Sequence, residues 1–214
     1  VRSRGAELVF GCAAALLSYP DDTFAEDLEA VRTRLAAVGD RRARTQLAMA
    51  CSRLGSAGPT AAAARYVDTF DLARRRTLHL TYYRHGDTRE RGAALAELAD
   101  AYRAAGVRLR PGELPDFLPA MLELAAVHRE GVALLGEFRA ELDTLQHALE
   151  RAESPYATVV GAVTAVLGTP SHVVLPRWRR SRPVRAVTAH GQPRPLAPPE
   201  VLAHGITTRG GGAP

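Results

Sequence analysis

Leu135, Phe138, Leu142, Leu145 and Leu149 follow one another at intervals of 3, 4, 3 and 4 residues, a seam that only an α-helix places on one face. The same period recurs along most of the chain. Leu8, Cys12, Ala15 and Leu16 share a face that Tyr19-Pro20 ends, and Phe24, Leu28, Val31, Leu35 and Val38 repeat the pattern up to Gly39. Asp21, Asp22 or Thr23 supplies the cap between them. Leu47, Ala50, Cys51 and Leu54 make a third stripe, and Pro59 opens a helix carrying Tyr66, Val67 and Phe70. Asp87 or Thr88, with Glu90 as the return partner of a capping box, starts a long helix through Leu95, Leu98 and Tyr102. Leu118, Met121, Leu122 and Ala125 form another, and Val159, Val160, Val163 and Leu167 the last. The spacing predicts an all-α, single multi-helix bundle of seven to nine helices over residues 6–168, with no strand.

Composition agrees with that class. Hydrophobic residues make up 46% of the chain, enough for a core, yet aromatics are only 6% and isoleucine occurs once, so a sheet rich in β-branched and aromatic side chains is disfavoured. All 28 basic residues are arginine, which reads as codon bias and lowers the weight of any single arginine as a functional sign. The net charge of +5 is also uneven. From Ser171 onward seven arginines face one acid, whereas residues 1–170 hold 21 arginines and 22 acids. The basic excess therefore sits on residues 169–214, a Pro/Arg/Gly-rich stretch without apolar periodicity that is expected to be a disordered tail. Nucleic-acid binding would want that excess on a folded face, so a helical regulatory or nucleic-acid-binding module using the basic tail is only the second reading.

Cys12 and Cys51 stand far apart with no Cys/His cluster near them, so neither a zinc site nor a disulfide framework is expected, and a cytoplasmic setting fits. The apolar start resembles a signal peptide only until Glu7 interrupts it. No apolar run approaches the roughly 18 residues of a membrane span. Catalytic signatures are missing: no GxSxG elbow, no phosphate-cradling GxxxxGK[ST] loop and no GxGxxG. The seven histidines are scattered singly. No catalytic residue, no metal ligand and no stably bound cofactor is assigned.

One region does stand out. Tyr66-Val-Asp-Thr-Phe-Asp71 and Leu78-His-Leu-Thr-Tyr-Tyr83 hold four of the eleven Tyr and Phe residues, with carboxylates beside them. Tyr66 and Phe70, four apart, share a helical face; they either fill the core or wall a groove for a positively charged amphipathic peptide. Together with Gly86-Asp-Thr-Arg89, Arg91-Gly92, Glu113-Leu-Pro-Asp116, Leu118-Pro119 and Leu16-Leu-Ser-Tyr-Pro20, these segments resemble the NarJ-type assembly chaperones of respiratory nitrate reductase, in the wider TorD-like group of molybdoenzyme maturation factors. The likeness runs colinearly over about residues 6–168.

The resemblance implies an all-helical, non-enzymatic chaperone. Its partner would be the N-terminal segment of the nitrate reductase catalytic (alpha) subunit, held in the apo state while the molybdenum cofactor and an iron–sulfur cluster are inserted, before membrane attachment. Molybdenum cofactor delivery proteins are further implied partners; nucleic acid and stable membrane association are not. Carried over, Tyr66, Phe70, Tyr82 and Tyr83 become apolar walls of the client groove, and Asp71, Asp116 and Glu123 charge partners of a basic client. Tyr19, Pro20, Gly86, Asp87, Arg89, Arg91, Gly92 and Pro115 are motif positions with a structural or binding role. Two positions depart from the pattern. Phe117 stands where such chaperones commonly have histidine, and His79 where tyrosine is frequent.

Overall fold

The structure, a computed structural model, describes residues 5–168. The tail, with the disorder and basic surface expected of it, lies outside the described residues. Ten α-helices run through the rest: α1 Ala6–Leu17, α2 Phe24–Leu35, α3 Arg41–Gly55, α4 Pro59–Tyr66, α5 Leu80–His85, α6 Arg89–Ala104, α7 Leu118–Val127, α8 Arg129–Glu137, α9 Arg139–Arg151 and α10 Tyr156–Leu167. Among the described residues there is no strand, only an isolated antiparallel bridge between His79 and Phe117.

The class is the expected one, and the count exceeds the expected seven to nine for identifiable reasons. The five residues of the 135–149 seam are all buried, yet the helix breaks at Phe138, whose backbone (φ −98°, ψ 21°) ends α8 and begins α9. The segment 80–85 forms a short helix of its own. After α4 the chain widens into a π-helical turn, Val67–Asp71, closed by Leu72 N–H donating to the Val67 carbonyl at 3.1 Å. A 3-10 turn, Arg74–Arg76, follows.

The helices α1 and α10 are the most apolar, and they occupy the middle. Val9, Phe10, Cys12, Ala13, Leu16 and Leu17 are buried on α1, which packs against α7, α10, α2 and α3. Val159, Val160, Ala162 and Val163 are buried on α10, which packs against α3, α1 and α9. Helices that bury most of their circumference must be short of charge, and these two carry one acid between them, Glu7. Caps follow the sequence in part. Asp40 caps α3 through its side chain, which accepts from Ala43 N–H at 2.7 Å. Thr88 rather than Asp87 occupies the N-cap position of α6. Asp21 does not cap α2 directly; it accepts from the Thr23 N–H and hydroxyl at 2.9 and 2.7 Å, folding the turn before the helix.

A single residue, His128, joins α7 to α8, so the two helices meet with almost no loop. Gly131 makes this possible: a Cβ there would lie 2.5 Å from Ala125 N and 2.6 Å from the Leu124 carbonyl carbon, both backbone atoms that cannot swing aside. Gly131→Ala should destabilise the protein by about 1–3 kcal/mol, lowering the thermal melt. Gly136→Ala in the same helix meets nothing within 4 Å and should leave the melt unchanged or raise it. Equal melts for both variants would contradict the close approach.

Candidate functional site

The motif segments converge on one buried carboxylate. The Asp116 side chain has no exposed surface, and its two oxygens are divided among three partners. His79 Nδ1 lies 2.9 Å from Oδ1. The Thr81 hydroxyl donates to Oδ2 at 2.5 Å. Arg91 reaches Oδ2 at 3.4 Å while its Nε donates to the Thr81 hydroxyl at 3.1 Å. The backbone repeats the connection: Leu80 N–H donates to the Asp116 carbonyl at 3.0 Å, and Leu118 N–H to the Leu78 carbonyl at 2.9 Å. Burial alone would raise the carboxyl pKa, but the hydrogen bond and attraction of His79, then Thr81 and Arg91, outweigh it and hold the group below its ordinary value.

His79 and Phe117, the two departures from the family pattern, face each other across the bridge with ring centroids 5.4 Å apart. Position 117 has no imidazole to offer; the one at position 79 reaches the carboxylate instead. Gly86 ends α5 at φ +55°, ψ −142°, a conformation that favours glycine and turns the chain toward α6 and Arg91.

Aromatic residues form a second centre. Tyr66 contacts Phe70 (4.9 Å between centroids), Tyr156 (6.0 Å) and Tyr19 (5.4 Å), and Phe70 contacts Tyr156 (4.7 Å). The Tyr66 hydroxyl donates to the Leu17 carbonyl at 3.1 Å, so this ring ties α4 to the end of α1. Burial, with smaller contributions from Asp71 and Tyr156, pushes the Tyr66 hydroxyl well above its ordinary pKa, and burial pushes Tyr156 up to about 12. Both stay neutral. Tyr19 is the exception to burial at 53% exposed, and Leu72, two residues past Phe70, is 74% exposed. Asp71 is exposed beside it, its carboxyl raised by partial burial against a weaker pull from His79.

This geometry corrects the expected groove. Tyr66 and Phe70 are 4% and 5% exposed, so in this conformation they are core residues beneath the surface rather than its walls. Asp116 is spent inside its own cluster and has no face to present to a client. Tyr82 and Tyr83 are half-buried but belong elsewhere: they line a cleft of about 680 Å³ with arginines from the 3-10 turn and from α9. Glu123 is exposed, 3.3 Å from Arg110. Pro20 and Pro115 are buried; Asp87, Arg89 and Gly92 are exposed, and a Cβ at Gly92 would meet nothing within 4 Å.

Sequence reading missed Tyr156, which Pro155 at the helix start could have flagged. It also missed the ion pair of Arg84 with buried Glu141, where the guanidinium lies 4.3 Å over the Phe138 ring and also donates to the Glu137 carbonyl. Cys12 and Cys51 are free and buried, their thiols raised by burial. Among the described residues no three His, Cys, Asp or Glu side chains are placed to hold a metal ion, and no helix is long and apolar enough to cross a membrane.

The Asp116 cluster makes a signed prediction. A carboxyl depressed in the folded state stabilises above its unfolded pKa of about 3.9, and that contribution is lost as pH falls through the folded value. The wild-type melt should drop on acidification from pH 5 toward pH 2, and Asp116→Asn should flatten part of that drop while melting lower at pH 7. Asp116→Ala, which strands Arg91 and Thr81, should cost about 3–5 kcal/mol. An Asp116→Ala melt at pH 7 equal to wild type would contradict the cluster's role.

Comparison with known proteins bears on these segments directly. The family model described as the nitrate reductase delta subunit matches residues 24–160. The chain is 43% identical over 159 residues to the nitrate reductase-like protein NarX of Mycobacterium tuberculosis, covering 73% of this chain but only 24% of that protein, so it spans about a quarter of that relative. It is 31% identical over 163 residues to the probable nitrate reductase molybdenum cofactor assembly chaperone NarJ of Bacillus subtilis, covering 75% of this chain and 89% of the relative. The NarJ chaperone of Escherichia coli K12 is 30% identical over 158 residues, 72% of this chain and 67% of the relative. In fold, a crystal structure from Archaeoglobus fulgidus described as a redox enzyme maturation protein superposes with a TM-score of 0.57 at 20% identity, over 75% of this chain and 93% of that one. With its helical fold and its motif segments gathered around one carboxylate, the chain belongs to the nitrate reductase delta subunit family, among the NarJ-type chaperones.

Proposed function

We propose that this chain is a non-enzymatic chaperone that binds the N-terminal region of the apo catalytic subunit of a respiratory nitrate reductase. It holds that subunit open for insertion of the molybdenum cofactor and an iron–sulfur cluster, and releases it for assembly at the membrane. The metal centres are cargo of the client. Molybdenum cofactor delivery proteins act on the same complex, and the chaperone works in the cytoplasm.

The observation that carries this reading is the surface above the aromatic cluster. Tyr19 and Leu72 are exposed apolar side chains, one touching Tyr66 and the other two residues from Phe70, and the carboxylates of Asp68 and Asp71 are exposed on the intervening π-helical turn. Apolar anchors on an aromatic floor, beside exposed acids, suit an amphipathic peptide carrying positive charge. A few leucine-sized side chains buried there gain about 1.5–3 kcal/mol each. That recovers the cost of ordering the peptide and leaves a complex that still dissociates. Irregular turns of this kind occur frequently at functional sites.

A synthetic peptide of the client's leading residues, titrated calorimetrically, tests the reading. Tyr19→Ala should weaken binding about tenfold and Asp71→Asn several-fold, both with melts close to wild type because the two residues are exposed. Tyr66→Ala should instead lower the melt by about 3–5 kcal/mol of stability. Unchanged affinity in both surface variants would overturn the assignment.

A further inference from the structure

The cleft that takes Tyr82 and Tyr83 away from the aromatic cluster has a chemistry of its own. Its charged lining is arginine, Arg74, Arg75 and Arg76 from the 3-10 turn and Arg151 from α9, with His147 of α9 beside them. These positions are some 70 residues apart in sequence, so the clustering is made by the fold. It also stands out against a background in which arginines and acids of residues 1–170 nearly balance, and codon bias explains the number of arginines but not their gathering in one cleft without an acid. Arg76 is held by carbonyls, donating to Thr69 O at 2.9 Å and Asp68 O at 3.3 Å, which fixes its guanidinium without neutralising it. His147 has Glu150 at 4.0 Å. Among the described residues no carboxylate lies within ion-pair distance of Arg74, Arg75 or Arg151. The Tyr83 hydroxyl donates to the Arg75 and Thr77 carbonyls at 3.3 and 3.0 Å, locking the arginine turn against α5.

We propose that this cleft binds a small molecule bearing adjacent phosphate groups, a diphosphate, with its organic part against Tyr82 and Tyr83. The volume of about 680 Å³ is that of a small-molecule site. Guanidinium groups match phosphate oxygens with paired hydrogen bonds, and unpaired cations crowded into one concavity repel each other until an anion fills it. An acidic peptide is the weaker fit, since an extended chain offers at most one carboxylate per residue of about 3.3 Å, whereas a diphosphate brings several charges into one span. The cleft adjoins the acidic turn, since Arg76 donates to the Asp68 and Thr69 carbonyls, but neither Tyr19 nor Leu72 lines it, and the proposal does not rest on the client reading.

The test is calorimetric titration of the full chain with inorganic pyrophosphate, orthophosphate, ADP and a hexaglutamate peptide, repeated on the double variant Arg75→Gln, Arg151→Gln. Pyrophosphate and ADP should bind, ADP at least as tightly as pyrophosphate, and orthophosphate at least tenfold more weakly. The double variant should lose at least tenfold in affinity for both diphosphates with an unchanged melt, because neither side chain has a described partner. Full binding retained in that variant would assign the anion to the arginines after Ser171 and overturn the site. Tighter binding of hexaglutamate, or no binding of either diphosphate, would overturn it as well.

Discussion

An ionised carboxylate removed from water costs several kcal/mol unless partners surround it, and the Asp116 cluster meets that demand by drawing on three stretches of chain. His79 precedes α5, Thr81 lies within it, and Arg91 comes from the first turn of α6. None of these can be displaced without leaving a buried charge or donor unmatched. The bridge of Leu80 to Asp116 and Leu118 to Leu78 adds a backbone component to the same junction. The motif segments 78–83, 86–92 and 113–119 are therefore parts of one fastening, and the start of α5 is pinned to the start of α7. That pinning sets where Tyr82 and Tyr83 point, and with them the wall of the cationic cleft.

Two surfaces of opposite character result. On one, the rings of Tyr66, Phe70 and Tyr156 make a floor under Tyr19, Leu72, Asp68 and Asp71. On the other, arginines from the 3-10 turn and from α9 surround Tyr82 and Tyr83. The short segment 66–83 supplies residues to both, running from the π-helical turn through the arginines to α5. Under the proposed function, unlike charge on adjoining surfaces sorts their ligands, since a basic peptide is repelled from the arginine cleft and an anion from the acidic turn.

Much of the bundle was legible because burial on one face of a helix leaves a period that survives in the sequence. The seam 135–149 was right about which side chains are buried and silent about the break at Phe138, because a single residue leaving helical geometry does not disturb a 3–4 spacing. Spacing likewise placed Tyr66 and Phe70 on a common face without saying whether that face looks inward or outward; the Tyr66 hydroxyl bound to the Leu17 carbonyl settles it inward. Asp116 was picked out by its motif, but its partner His79 is 37 residues away and nothing local marks the pair. Codon bias lowers the weight of each arginine, and nothing in the sequence sets the triplet 74–76 beside Arg151 and His147 of α9, some 70 residues on. His79 and Phe117, seen as separate departures from the family pattern, turn out to be neighbours across one bridge.

Under the proposed function this fold serves another protein's maturation by binding it, and the metal content of that protein is where its action registers. Nitrate reductase purified from cells lacking this chain should retain its catalytic polypeptide but carry several-fold less molybdenum per subunit, with the loss reversed when the wild-type chain is restored. A full complement of molybdenum in the absence of this chain and of any related gene would contradict it.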